Sequence, residues 1–117
     1  MNIDNDAYGG FMVSKNVING AEIRYSYREQ SSIPVLNGWT IYSKLDDDAY
    51  VNNPDNFIII NADSMFSIAP PMLEIFDAPY GTDLFWKYED GVLIGFYDLI
   101  KEADTTIKQI LENKPQN

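Results

Sequence analysis

Asp90 and Gly91 stand between two runs of strand-forming residues, Leu84 to Tyr88 and Val92 to Phe96. A two-residue loop of this composition favours the type I′ turn, whose positive φ at both central positions matches the twist of paired strands. The chain is thereby committed to at least one antiparallel hairpin, and other segments read in the same idiom. Glu22-Ile23-Arg24-Tyr25-Ser26-Tyr27-Arg28 alternates strictly, the period of a strand with one buried face. Phe11 to Lys15 and Trp39 to Tyr42 read as further strands. Phe57-Ile58-Ile59-Ile60 is apolar at every position, which predicts the most buried strand of the sheet.

A two-residue turn at Asn19-Gly20 would set Phe11 against Arg28 and Val13 against Ser26, apolar opposite polar. A shift of one residue pairs Phe11 with Tyr27 and Val13 with Tyr25, so these strands are expected to pair across a longer or bulged connection. Ser31 to Gly38 reads as a loop. Asp46 to Val51 suits a short helix with acid at its N-terminus, ended by Asn52-Asn53-Pro54. Residues 62–81 suit short helical turns punctuated by prolines. Asp98 is placed to cap a final helix along which Ile100, Ala103, Ile107, Ile110 and Leu111 recur.

The class is therefore α+β, a single domain with a mostly antiparallel twisted sheet of about five to six strands, short helices and a C-terminal helix. Residues 1–10 are expected to be a loose leader, 11–112 the domain and 113–117 a frayed tail. A length of 117 residues with 45% hydrophobic and 14% aromatic content supports one packed core.

Composition also bounds the chemistry. The formal net charge of -10 repels phosphate backbones and anionic lipid, so neither nucleic acid nor membrane is an expected partner. It attracts basic partners, or else serves solubility alone. Without cysteine there is no disulfide and no thiolate, and without histidine the commonest general base and metal ligand are missing. No nucleophile elbow, phosphate loop or metal-binding motif is present. The polar, acidic start and the short apolar runs suggest neither a signal peptide nor a span, so the cytoplasm is the expected compartment. A non-enzymatic chain without cofactor, catalytic residue or metal is the expectation.

The consecutive Asp46, Asp47 and Asp48 read as a solvated face, a partner patch or, least of all, a divalent-cation site. As a catalytic carboxylate pair they would splay apart at a helix start. Trp39, Tyr25 and Tyr27 are the residue types that anchor interfaces, although on alternating strands core is the commoner fate. Arg28 and Glu29 are expected to stay exposed or to pair with each other.

Several segments in order carry a family likeness. They are Val13-Ser14-Lys15, Tyr25-x-Tyr27-Arg28-Glu29, Gly38-Trp39, Tyr50-x-x-x-Pro54-x-Asn56, and Leu73 to Gly81 ending Ala78-Pro79-Tyr80-Gly81. Over about residues 11–86 the chain resembles a bacterial family known as immunity protein thirty-three. The resemblance implies an antitoxin-like protein that binds and neutralises a cognate toxin of a polymorphic toxin system. Departures are Leu36-Asn37 where an acidic residue and Ser usually precede Gly-Trp, Lys44-Leu45-Asp46-Asp47 for a Gly-Asp-Glu-like stretch, and Ala69-Pro70 for Asp-Pro. Tyr88 onward has no counterpart in the pattern. The candidate partner-binding set is Arg28, Glu29, Trp39, Asp46, Asp47, Asp48 and Tyr50. The partner expected is a cognate protein toxin, and a basic one would suit the net charge. The alternative is a stand-alone cytosolic domain that binds a ligand or another protein.

Overall fold

A computed structural model describes residues 3–112. In chain order its elements are α1 (Asn5–Tyr8), β1 (Gly10–Ser14), α2 (Lys15–Ile18), β2 (Ile23–Arg28), β3 (Leu36–Ser43), α3 (Asp48–Val51), β4 (Phe57–Ile60), α4 (Ala62–Ile68), α5 (Pro71–Glu74), β5 (Asp83–Glu89), β6 (Val92–Asp98), β7 (Ala103–Thr105) and α6 (Ile107–Glu112). The strands form one seven-stranded sheet in the order β4-β1-β3-β2-β5-β6-β7. Every pairing is antiparallel except β1 with β3. The α+β class holds, with one strand more than the sequence suggested.

The hairpin at Asp90-Gly91 forms as read. Both residues have positive φ, 51° and 77°, and Glu89 pairs with Val92 across the turn. The other hairpin does not form. β1 and β2 are not neighbours, because β3 lies between them. After Ser14 the chain turns into α2, whose Val17 is buried, and this carries β2 away from β1.

The strict alternation of β2 is also broken. Its register with β3 slips between Ile23 and Tyr25, so Ile23 and Ser26 are buried while Tyr25 faces out. One extra residue in a strand reverses the face of everything beyond it.

β4 is an edge strand with Ile58 and Ile59 at 43% and 48% exposure, not the most buried strand. An unbroken apolar run shows that both faces are apolar. It does not say how many strands lie alongside.

The expected long final helix is divided. Asp98 Oδ1 accepts hydrogen bonds from the Ile100 and Lys101 amides, forming a turn rather than a helix cap. Glu102 then takes φ 54°, and Ala103–Thr105 returns as β7 beside β6. α6 starts only at Ile107, with Thr106 Oγ1 accepting from the Gln109 amide. The segment assigned to a loose leader carries the one turn of α1, and the tail 113–117 lies outside the described residues.

One face of the sheet holds the core. Phe11, Val13, Trp39, Ile41, Leu84, Trp86 and Phe96 are buried there against Val17, Met65, Met72, Ile75 and Ile110 from the helical segments. Burying such side chains stabilises by roughly 1.5–3 kcal/mol each. The two indoles also satisfy their N–H groups. Trp86 Nε1 donates to buried Ser26 Oγ at 2.8 Å, and Trp39 Nε1 to the Phe76 carbonyl at 3.0 Å. α3 contributes no buried residue and borders the other face.

Candidate functional site: the open face of the sheet

Cross-strand partners point to the same side of a sheet, so the strand registers list the opposite face directly. One ladder runs Asp104, Tyr97, Phe85, Tyr25, Tyr42 across β7, β6, β5, β2 and β3. The next runs Asp83, Tyr27, Thr40, Met12, Ile59 across β5, β2, β3, β1 and β4. Core residues pack on the far side, and none of these ten belongs to the core or to its partly buried lining.

The aromatic rings touch one another in place of a covering helix. Tyr25 meets Phe85 edge-on at 5.5 Å, and Tyr27 meets Tyr42 at 5.6 Å. Phe57 sits 5.5 Å from Tyr42, and Tyr50 of α3 lies 6.3 Å from Phe57. The Tyr27 and Tyr42 hydroxyls share a hydrogen bond of 3.1 Å. Burial, the bond to Tyr27, and the negative charges of Glu29 and Asp46 together raise the Tyr42 hydroxyl well above the ordinary phenol value, so it stays protonated.

Acid frames this face. Glu29 follows Tyr27 by two residues and is exposed. Asp83, opposite Tyr27, is pushed above the usual carboxylate range by burial, then by Asp98 and Glu29. The consecutive aspartates have separate roles. Asp46 accepts from the Ser43 amide at 2.8 Å, the Ser43 hydroxyl at 2.6 Å and Asn16 Nδ2 at 2.8 Å. Burial alone would raise its carboxyl, but these bonds and one from Ser14 outweigh it and hold the group below its ordinary value. Asp47 is the N-cap of α3, accepting from the Tyr50 amide at 2.8 Å. Asp48 begins the helix and is exposed.

The candidate residues thus separate. Tyr50 reaches the open face through Phe57, and Glu29 acts on Tyr42 and Asp83 there, while Asp47 and Asp48 are exposed at the start of the helix that carries Tyr50. Trp39 is 1% exposed in the core, the commoner fate for a residue of its kind. Arg28 does not pair with Glu29, because consecutive strand residues point to opposite faces. Its Nε donates to the Asn37 carbonyl at 3.0 Å, and its Nη1 to the carbonyls of Phe76 and Ala78 at 2.7 and 2.9 Å. Its guanidinium lies 4.9 Å from the Phe76 ring and 4.8 Å from that of Tyr80. Tyr42, Phe57, Phe85, Tyr97 and Asp83 were not singled out by the sequence. They lie on several strands far apart in the chain, and only the strand order puts them on one surface.

Among the described residues no cluster of three or more potential metal ligands occurs, and no helix is long and apolar enough to cross a membrane. Helical segments thus pack on the core side of the sheet, and aromatic side chains with acidic neighbours lie on the other. The chain belongs to the family described as Immunity protein Imm33 domain, whose model matches residues 11–97. That stretch runs from β1 into β6, past Tyr88 where the likeness was expected to have no further counterpart, and includes every ladder residue except Asp104. No curated protein and no solved structure matches the chain.

Proposed function

We propose that this chain is a non-enzymatic immunity protein that neutralises a cognate toxin by direct association, docking its open sheet face on a cationic surface of that toxin. Membership of an immunity protein family supports a toxin as partner. The observation that carries the binding face is the uncovered ladder of Tyr97, Phe85, Tyr25 and Tyr42, with Tyr27 beside it, in a chain of net charge -10. Tyrosine supplies large contact area at low entropic cost, and carboxylates around it steer a basic partner into place. Arg24 is stacked over Phe85, Arg28 is enclosed by carbonyls, and Lys44 and Lys87 are paired with Glu22 and Asp104. The outward field near this face is therefore dominated by acid.

A toxin that handles phosphate, such as a nuclease, fits best, because an acidic inhibitor occupies the surface its substrate needs. The test is cytoplasmic co-expression with a candidate toxin whose gene adjoins that of this chain. Growth is expected to be rescued, and rescue is expected to weaken when Tyr25 and Phe85 are both changed to Ala. No rescue, together with no complex at moderate salt, overturns the proposal.

A further inference from the structure

Where α3 and the turn at Pro54–Asn56 approach the open face, the surface is indented. Met12, Tyr27, Tyr42, Val51, Pro54 and Phe57 line a notch of 360 Å³. It is large enough for one long side chain and too small for a helix. We infer that this notch receives an arginine side chain of the partner, a step that rests on reading the open face as the docking surface.

Three observations converge on arginine. The walls are aromatic: Tyr27 and Tyr42 stand edge-to-face at 73°, and Phe57 lies 5.5 Å from Tyr42, tilted by 59°. Aromatic rings attract a guanidinium to their electron-rich faces, and it gives up its hydration more readily than an ammonium. The surrounding charge has the right sign. The lining itself carries no charged side chain of either sign, and the nearby carboxylates of Glu29 and Asp46 both act on the Tyr42 hydroxyl. Finally, the molecule already uses this chemistry internally. Arg24 lies 5.1 Å over Phe85 on the same face, and Arg28 lies against Phe76 and Tyr80. These are the only arginines in the sequence, and both take aromatic rings as partners. The methylene stem of an incoming arginine would run along Met12 and Val51 while its head meets the Tyr27–Tyr42 hydroxyl pair.

The test uses the free full-length chain and three small probes followed by NMR. They are N-acetyl-arginine methylamide, its neutral citrulline isostere and the corresponding leucine compound. The arginine probe is expected to shift the Met12 methyl and the Tyr27, Tyr42 and Phe57 ring resonances saturably, with the citrulline probe about 5-fold weaker. Tyr42→Phe, which keeps the ring, is expected to retain at least half of that affinity, and Tyr42→Ala to lose it. Equal binding of citrulline and arginine, tighter binding of leucine, or no saturable shift overturns the inference. This outcome is separable from the neutralising role. A notch that ignores arginine in a chain that still rescues growth removes the notch alone, whereas arginine binding with neither rescue nor a complex at moderate salt removes the role.

Discussion

Arg28 donates from Nη1 to the Phe76 carbonyl at 2.7 Å while its guanidinium lies 4.9 Å over the Phe76 ring. One side chain of β2 therefore grips both the backbone and the side chain of a residue in the segment after α5. Trp39 donates to the same carbonyl, so both lone pairs of that oxygen are used. Three segments that carried the family likeness, around Arg28, Gly38-Trp39 and Ala78-Pro79-Tyr80, meet here. Burial pulls the guanidinium below its ordinary value, opposed by Tyr80 and Asp77, but arginine keeps its charge. Arg28→Lys cannot reproduce the fork and is expected to cost about 2–4 kcal/mol. Urea denaturation measures it, and a loss under 1 kcal/mol would show that a point charge suffices.

Gly38 precedes this cluster with φ 95°, and a Cβ there would stand 2.3 Å from the Glu29 carbonyl oxygen. Gly81 has a similar φ of 97° but nothing within 4 Å. Gly81→Ala is expected to cost about 1–2 kcal/mol from backbone strain alone. Gly38→Ala is expected to cost about 2 kcal/mol more, and equal midpoint shifts for the two variants would contradict this.

Two carboxylates are expected to give opposite pH signatures. The folded state lowers the pKa of Asp46, so its stabilisation is present above the unfolded carboxyl value and is lost as pH falls through the folded one. Asp46→Asn should therefore destabilise by about 1–3 kcal/mol at pH 7 and by less near pH 2. Asp83 is raised, so its contribution is fully present below the unfolded value and lost as pH rises through the folded one. Asp83→Asn should stabilise at pH 7, and the gain should vanish in acid. Denaturation series at both pH values decide the signs.

Charge reversal across all three consecutive aspartates would confound binding with folding, since Asp46 holds the end of β3 and Asp47 caps α3. Asp48 is the informative position. Asp48→Lys is expected to leave stability within about 0.5 kcal/mol, to slow association with the toxin and to flatten its salt dependence. Stopped-flow rates unchanged across ionic strength would exclude Asp48 from steering.

The pavement itself is expected to hold the complex rather than guide it. Tyr25→Ala should raise the dissociation rate, with a loss of affinity on the order of 10-fold or more, while association changes little. Tyr25 is 37% exposed and outside the core, so the folded fraction should be unaffected. Surface-immobilised toxin measures both rates, and unaltered dissociation would place the interface elsewhere.

Local chemistry was legible from sequence wherever neighbours in the chain decide the outcome. Asp90-Gly91 gave its hairpin, and the prolines at 70 and 71 gave their short helices. Pairings between distant strands were not legible. Hydrophobic alternation assigns faces, not neighbours, so nothing in Phe11 to Lys15 revealed a parallel partner at Thr40 and Ile41. Ile100 and Ala103 keep helical spacing, yet the Asp98 side chain competes for the same amides and closes a turn first. The same limit governed the site. Acid was visible as composition, but which aspartate bonds inward and which faces out depends on Ser43 and Asn16, residues brought near by the fold.

An uncovered aromatic surface would ordinarily make copies of a protein adhere to one another. Here each copy carries a net charge of -10, and two open faces approaching head-on bring their acidic borders together before their rings can meet. Mutual repulsion is thus expected to keep copies of the chain dispersed while that surface stays bare. That protection depends on ionised carboxylates, and it should lapse as pH falls toward about 4, where turbidity would report the faces finding each other.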